Sequence, residues 1–107
     1  MEEWKKLKVD GVTGIERCVA EFKISELAHI PFESVKVKIF NREDNLFVGF
    51  INLRVNDSIE GYPEGGAGYG TTILEALEDT LKYFSELLEG REHLRHEDFE
   101  WWDPTDF

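Results

Sequence analysis

The stretch VKVKIFNREDNLFVGFINLRV, residues 35–55, decides the fold. Two runs rich in β-branched and aromatic residues, Val35 to Phe40 and Leu46 to Val55, flank the polar segment Asn41-Arg42-Glu43-Asp44-Asn45, the pattern of an antiparallel hairpin. Side chains alternate between the faces of a strand, so a register that sets Phe40 against Leu46 pairs Ile39 with Phe47, Val37 with Gly49 and Val35 with Ile51. Leu53 and Val55 continue that side, which is expected to face the core. The other side holds Lys36, Lys38, Phe40, Val48, Phe50, Asn52 and Arg54. It is too apolar for a plainly solvated surface, and something is expected to cover it.

Downstream, residues 57–70 lack periodicity and contain five glycines, which predicts a long loop or one with a short irregular strand. Thr72-Ile73-Leu74-Glu75 then has the spacing of a capping box and starts a helix. Leu74, Leu77, Leu81, Phe84 and Leu88, with Ile73 and Ala76 beside them, recur at a period of 3.6, and Gly90 supplies the stop. The opposite face carries Glu75, Glu78, Asp79, Glu86 and Glu89 against Lys82 alone. Arg91 and Arg95 are expected to partly neutralise the two late glutamates. The last eleven residues, 97–107, hold five acids and four aromatics, a density unlike that of disordered linkers. Phe99, Trp101 or Trp102, and Phe107 are expected to fold back over Phe40, Val48 and Phe50; the competing reading is an exposed recognition arm.

Upstream, Cys18, Ala20, Phe22 and Ile24 alternate with Arg17, Val19, Glu21 and Lys23, a half-buried strand over residues 15–24. Cys18 is expected to be a small buried apolar group there. Asp10-Gly11 offers a turn, and Trp4 to Val9 reads as either a short first strand or a single helical turn. His29-Ile30-Pro31-Phe32 breaks the strand pattern, because proline lacks a donor and restricts the residue before it. The whole is a single α+β domain over 1–107: an antiparallel sheet of three or four strands with one long C-terminal helix on one face. Its hairpin, loop and helix span 35–89, and an acidic aromatic tail spans 91–107.

Charge is distributed unevenly. Residues 1–54 carry nine basic and nine acidic side chains, whereas residues 55–107 carry three and fourteen, so the net charge of −11 belongs to the second half. An acidic surface repels phosphates and attracts cationic partners, which argues against direct nucleic-acid binding. No stretch approaches a membrane span and no secretory leader is visible, which makes the cytosol the expected compartment. A single cysteine cannot form an internal disulfide.

No motif names a reaction. Gly65 to Thr72 has the outline of a phosphate loop, but Thr71 stands where that motif needs a lysine, and Glu60, Glu64 and Glu75 surround it. Gly66-Ala67-Gly68-Tyr69-Gly70 also misses the spacing of the dinucleotide fingerprint. His93 and His96 sit three apart without a third fixed ligand, so no metal or cofactor is expected. Ser25, Ser34, Ser58 and Ser85 lack a nucleophile elbow, and His29 has no sequence-local catalytic partner.

Gly70-Thr71-Thr72-Ile73-Leu74-Glu75-Ala76-Leu77, entered from a hairpin and followed by an amphipathic helix, resembles the strand-to-helix segment of HicB-type antitoxin domains, small β-β-β-α units. The likeness covers residues 35–89 and extends in outline to double-stranded-RNA-binding domains. Thr71-Thr72 replaces the lysine pair that RNA-binding relatives place at the helix start, and Glu75, Glu78 and Asp79 would repel RNA. The resemblance implies a fold and points toward toxin neutralisation; it carries over no site residue. The leading expectation is therefore a non-enzymatic inhibitor, immunity protein or antitoxin that occupies a basic surface of a protein partner. Its contact residues would be Glu75, Glu78, Asp79, Glu86, Asp98, Glu100, Trp101 and Trp102. The alternative is an oligomeric small-ligand-binding protein with a pocket formed by Tyr62, Tyr69, Gly68 and Gly70, and a third reading is an enzyme with a scattered site. The outer sheet face is where a homodimer would form.

Overall fold

The hairpin forms as strands β2, Ser34–Arg42, and β3, Phe47–Asn56, in the computed structural model, which describes residues 3–57 and 59–107. Its register differs by two from the expected one: Ile39 faces Gly49 and Val37 faces Ile51. The cause is a tighter turn. Arg42 N–H donates to the Leu46 carbonyl at 2.9 Å and Asn45 N–H to the Arg42 carbonyl at 3.1 Å, so β2 runs through Arg42 before a turn at Glu43, Asp44 and Asn45. Asn45 takes the left-handed conformation, φ 66°, which closes a three-residue hairpin turn. A slip of two preserves parity, and the two faces of the hairpin keep the residues assigned to them.

Four strands form an antiparallel meander in the order β1-β2-β3-β4, with β1 at Glu16–Ser25 and β4 at Pro63–Gly70. Helix α1, Ile73–Leu88, follows, and a short β5, Phe99–Trp101, pairs antiparallel with the second half of β3. Because β2 pairs with β3 only from Phe47 to Ile51, the next stretch of that edge is open, and β5 fills it with Phe99 opposite Val55 and Trp101 opposite Leu53. Asn52 sits at the junction: its Oδ1 accepts from Lys36 N–H at 2.9 Å, and its carbonyl accepts from Trp102 N–H at 2.9 Å.

Strand β1 carries a correction. A bulge between Cys18 and Ala20 inserts Val19, so parity changes along the strand. Ala20, Phe22 and Ile24 lie opposite Ile39, Val37 and Val35 on the core side, whereas Cys18 lies opposite Phe40 and is exposed instead of buried. Of the two readings for the N-terminus the helical turn is found, a 3₁₀ segment at Glu3–Lys6, followed by a turn at Asp10-Gly11 with Gly11 at φ +88°.

Most of the expected glycine loop is β4, and its glycines set the depth of the helix. Gly66, Gly68 and Gly70 alternate onto the side of the sheet that α1 covers. A Cβ at Gly68 would lie 2.6 Å from the main-chain carbon of Asp79 and nearer still to Thr80 N, and one at Gly70 would lie 2.6 Å from Ala76 N. Helix backbone thus rests on strand backbone. The closest approach falls at the small residues Ala76 and Thr80, and the buried line of the helix continues through Phe84 and Leu88. Thr80 is accommodated because its Oγ1 donates to the Ala76 carbonyl at 2.7 Å. Leu77 and Leu81 flank this line half-buried, and Leu74, assigned to the stripe from sequence, is 72% exposed. The core joins Val35, Val37, Ile39, Ile51, Leu53 and Val55 to Phe84, Leu88 and Phe99, with Leu27, Ile30 and Phe32 packing against it.

Candidate functional site

Two surfaces of different chemistry lie on opposite sides of the sheet. The first is the outer face of α1. Thr72 caps the helix, its Oγ1 accepting from Glu75 N–H at 3.1 Å, and the Glu75 carboxylate accepts from both the N–H and the hydroxyl of Thr71, at 2.9 and 2.8 Å. These two bonds, the backbone one foremost, hold the Glu75 carboxyl below its ordinary value. One turn on, Asp79 accepts from Tyr69 N–H at 2.9 Å. Glu75 and Asp79 therefore tie the helix to β4 and its exit, a structural use that sequence periodicity did not show. Glu78, Glu86 and Glu89 are exposed. Arg91 does not turn back toward them: its guanidinium donates to the Asn56 carbonyl at 2.8 Å, and Arg95 lies 3.9 Å from Glu97.

The second surface is the outer face of the sheet with the tail folded upon it. Trp102 lies under the Arg54 guanidinium, 4.8 Å from ring centre to cation, and Arg54 also pairs with Glu100 at 3.3 Å. Asp103 organises the next turn by accepting from Thr105 N–H and Oγ1 at 2.9 and 2.8 Å, which lowers its own pKa. That turn brings Phe107 back, with Lys38 Nζ 4.8 Å from its ring centre and donating to its carbonyl. Phe40, Phe50, Trp102 and Phe107 with Lys38, Glu16 and Asp106 line a cleft of about 200 Å³. Phe40 and Phe50 meet edge to face at 5.9 Å, and Val48 is buried between its cross-strand neighbours Phe40 and Tyr69.

The proposed contact residues are thus divided between these surfaces. Glu75, Glu78, Asp79 and Glu86 belong to α1; Glu100 and Trp102 belong to the sheet face. Asp98 is half-buried and accepts from Arg95 N–H at 2.8 Å. Trp101 packs edge-on to Phe32 at 4.8 Å, and Phe99 enters the core beside the same ring. The four residues of the alternative pocket are not brought together. Gly68 and Gly70 lie beneath α1, where Thr80 and Ala76 fill the space, while Tyr69 points to the other face at 52% exposure and Tyr62 stands at 67% before β4.

His93 and His96 have different neighbours: His93 lies 4.0 Å from Glu92, and the His96 ring lies tilted against Phe32 with ring centres 4.9 Å apart. Ser58 lies outside the described residues. The cation and aromatic pairings of the tail were missed from sequence, although Lys38 and Arg54 on the same side as Phe40 and Phe50 was the signal for them. No helix among the described residues is long and apolar enough to cross a membrane. No protein-family model, curated protein or solved structure matches the chain.

Proposed function

We propose that this protein is a non-enzymatic binding protein, of the inhibitor, immunity-protein or antitoxin kind, that lays the outer face of α1 on a basic surface of a protein partner. The observation that carries the reading is the acidic outer face of α1. The helix face presents Glu78, Glu86 and Glu89 with Lys82 as the one basic residue of α1, whereas on the opposite side Lys23, Lys36, Lys38, Arg42 and Arg54 are interleaved with Glu16, Glu21 and Glu100. A predominantly acidic face of this kind accelerates encounter with a basic partner and disfavours nucleic acid. The likeness of residues 35–89 to HicB-type antitoxin domains points the same way. With Glu75 and Asp79 engaged by β4 and its exit, the contact surface centres on Glu78, Glu86 and Glu89.

The test compares wild type with Glu78→Lys/Glu86→Lys in capture from native lysate at low and high salt. The expected result is a partner with a basic surface, retained by wild type at low salt, released by a few hundred millimolar salt over which exposed charges are screened to about a Debye length of 10 Å or less, and absent with the reversed variant. Equal capture by both proteins would overturn the reading.

A further inference from the structure

The two outer edges of the sheet are treated differently. Along β4, Asp79 takes the Tyr69 N–H, and Glu75 takes the N–H of Thr71 just beyond the strand. Strand β1 is the other terminal strand, and among the described residues no strand pairs with its outer edge. Past its bulge, residues 20–25 run in regular register with β2. An edge of this length presents unpaired main-chain donors and acceptors. On the core side it carries the half-buried Ala20, Phe22 and Ile24, which α1, packed chiefly on β3 and β4, does not cover. On the outer side Lys23 stands directly opposite Lys36, an unfavourable cross-strand pair, while Glu21 stands opposite Lys38 at 3.9 Å.

We propose that β1 pairs antiparallel with β1 of a second copy of this chain, about a two-fold axis at Phe22. That register sets Phe22 against its own counterpart, Ala20 opposite Ile24 and Glu21 opposite Lys23, each of the last two pairs occurring twice by symmetry. The lysine that meets Lys36 within its own sheet meets a carboxylate across the axis. Neighbouring registers lose this: centring on Glu21 or on Lys23 sets like charges against each other on the axis. The charges therefore select one register, and the occupant is a second copy because the complementarity is reciprocal. A two-fold normal to the sheet joins the two meanders into one continuous sheet with both helices on the same side. The half-buried Ala20, Phe22 and Ile24 of the two copies then meet in one apolar strip, and both acidic helix faces stay exposed.

The experiment is sedimentation equilibrium on the full chain up to about 100 µM, well above the dissociation constant of a stable dimer. Wild type is expected at twice the 12.5 kDa chain mass. Glu21→Lys and Lys23→Glu, each creating like-charge pairs across the axis, should weaken the dimer by about tenfold or more, and the exchange Glu21→Lys/Lys23→Glu should restore it. Phe22→Cys in a Cys18→Ser background should form a covalent dimer on oxidation, because directly opposed Cα atoms lie within about 4.5–5.5 Å, inside disulfide range. Circular dichroism verifies that each variant is folded. A monomeric wild type, or a dimer indifferent to both single reversals, would overturn the proposal.

Discussion

The face of the sheet under α1 and the face under the tail both carry apolar side chains, but they are covered by different physics. Beneath the helix, Gly49, Gly66, Gly68 and Gly70 remove side chains so that main chain approaches main chain, and the small line Ala76 and Thr80 continues into Phe84 and Leu88. Beneath the tail, Phe40 and Phe50 remain and are met by Trp102 and Phe107, each held by a cation from the sheet. The first cover is dry and tolerates little change in volume. The second is half-open, and its contacts are individually weaker. The difference teaches that one sheet can build a rigid core on one side and a surface open to rearrangement on the other.

The strongest way to break the comparison is at the helix contact. Phe84→Ala, at a fully buried position, is expected to destabilise the fold by about 3–5 kcal/mol, measured in a denaturant melt. Gly68→Ala should cost at least the upper part of the roughly 1–3 kcal/mol usual for overpacking, because the added methyl meets the main chain of Asp79 and Thr80, which moves only if the helix lifts. If Gly68→Ala melts like wild type, the close backbone approach is not present in solution.

On the other face, Trp102→Ala removes the stack on Arg54 and opens the cleft, with an expected loss of about 1–2 kcal/mol from the cation–π contact and the half-buried ring together. With Trp4 and Trp101 replaced by Phe, the indole emission of Trp102 should move to the red when Arg54→Ala exposes the ring. An unshifted spectrum would place the tail off the sheet.

Smaller still is the helix start. Thr72→Ala deletes the cap on Glu75 N–H and should cost about 1 kcal/mol in the same melt, with Thr72→Ser close to wild type. The Glu75 carboxyl, held below its ordinary 4.5 by Thr71, gives the smallest effect. A carboxyl whose pKa falls on folding adds stability above its unfolded value and loses it as pH drops through the folded one. Melting temperature should therefore decline below about pH 4.5, and Glu75→Gln should flatten that decline by lowering the melting temperature near neutrality, where the charged carboxyl contributes in full, while leaving the acid value nearly unchanged.

Periodicity is legible where one face is buried and the other is not. It located β1, the hairpin and the helix, because burial alternates along those segments with the period of the local structure; the folding back of the tail was read instead from its density of aromatics, which did not show that Phe99 enters the core while Trp102 and Phe107 lie on the outer face. The hairpin faces survived a register error because the error was even. Legibility failed where a single residue changes parity or where the partner backbone sets the pattern. Val19 in the bulge turned Cys18 to solvent, and the glycines of β4 looked like a loop because a strand that receives a helix on its backbone has no apolar residues to alternate. Leu74 entered the predicted stripe for the same reason: hydrophobicity marks which residues can be buried, not which turn of the helix lies closest to the strand.

Composition and order alone determined the α+β class, the capped start of the helix at Thr72, its stop near Gly90 and the confinement of the net negative charge to the second half, since each depends on residues near one another in the chain. The tertiary structure alone decided that Thr80 is a core residue, that Glu75 and Asp79 serve β4 and its exit, that Lys38 and Arg54 hold Phe107 and Trp102, and that no strand among the described residues pairs with the outer edge of β1. These are pairings between segments distant in sequence, whose energies depend on approach distance and direction, and neither quantity exists until the sheet and helix have met.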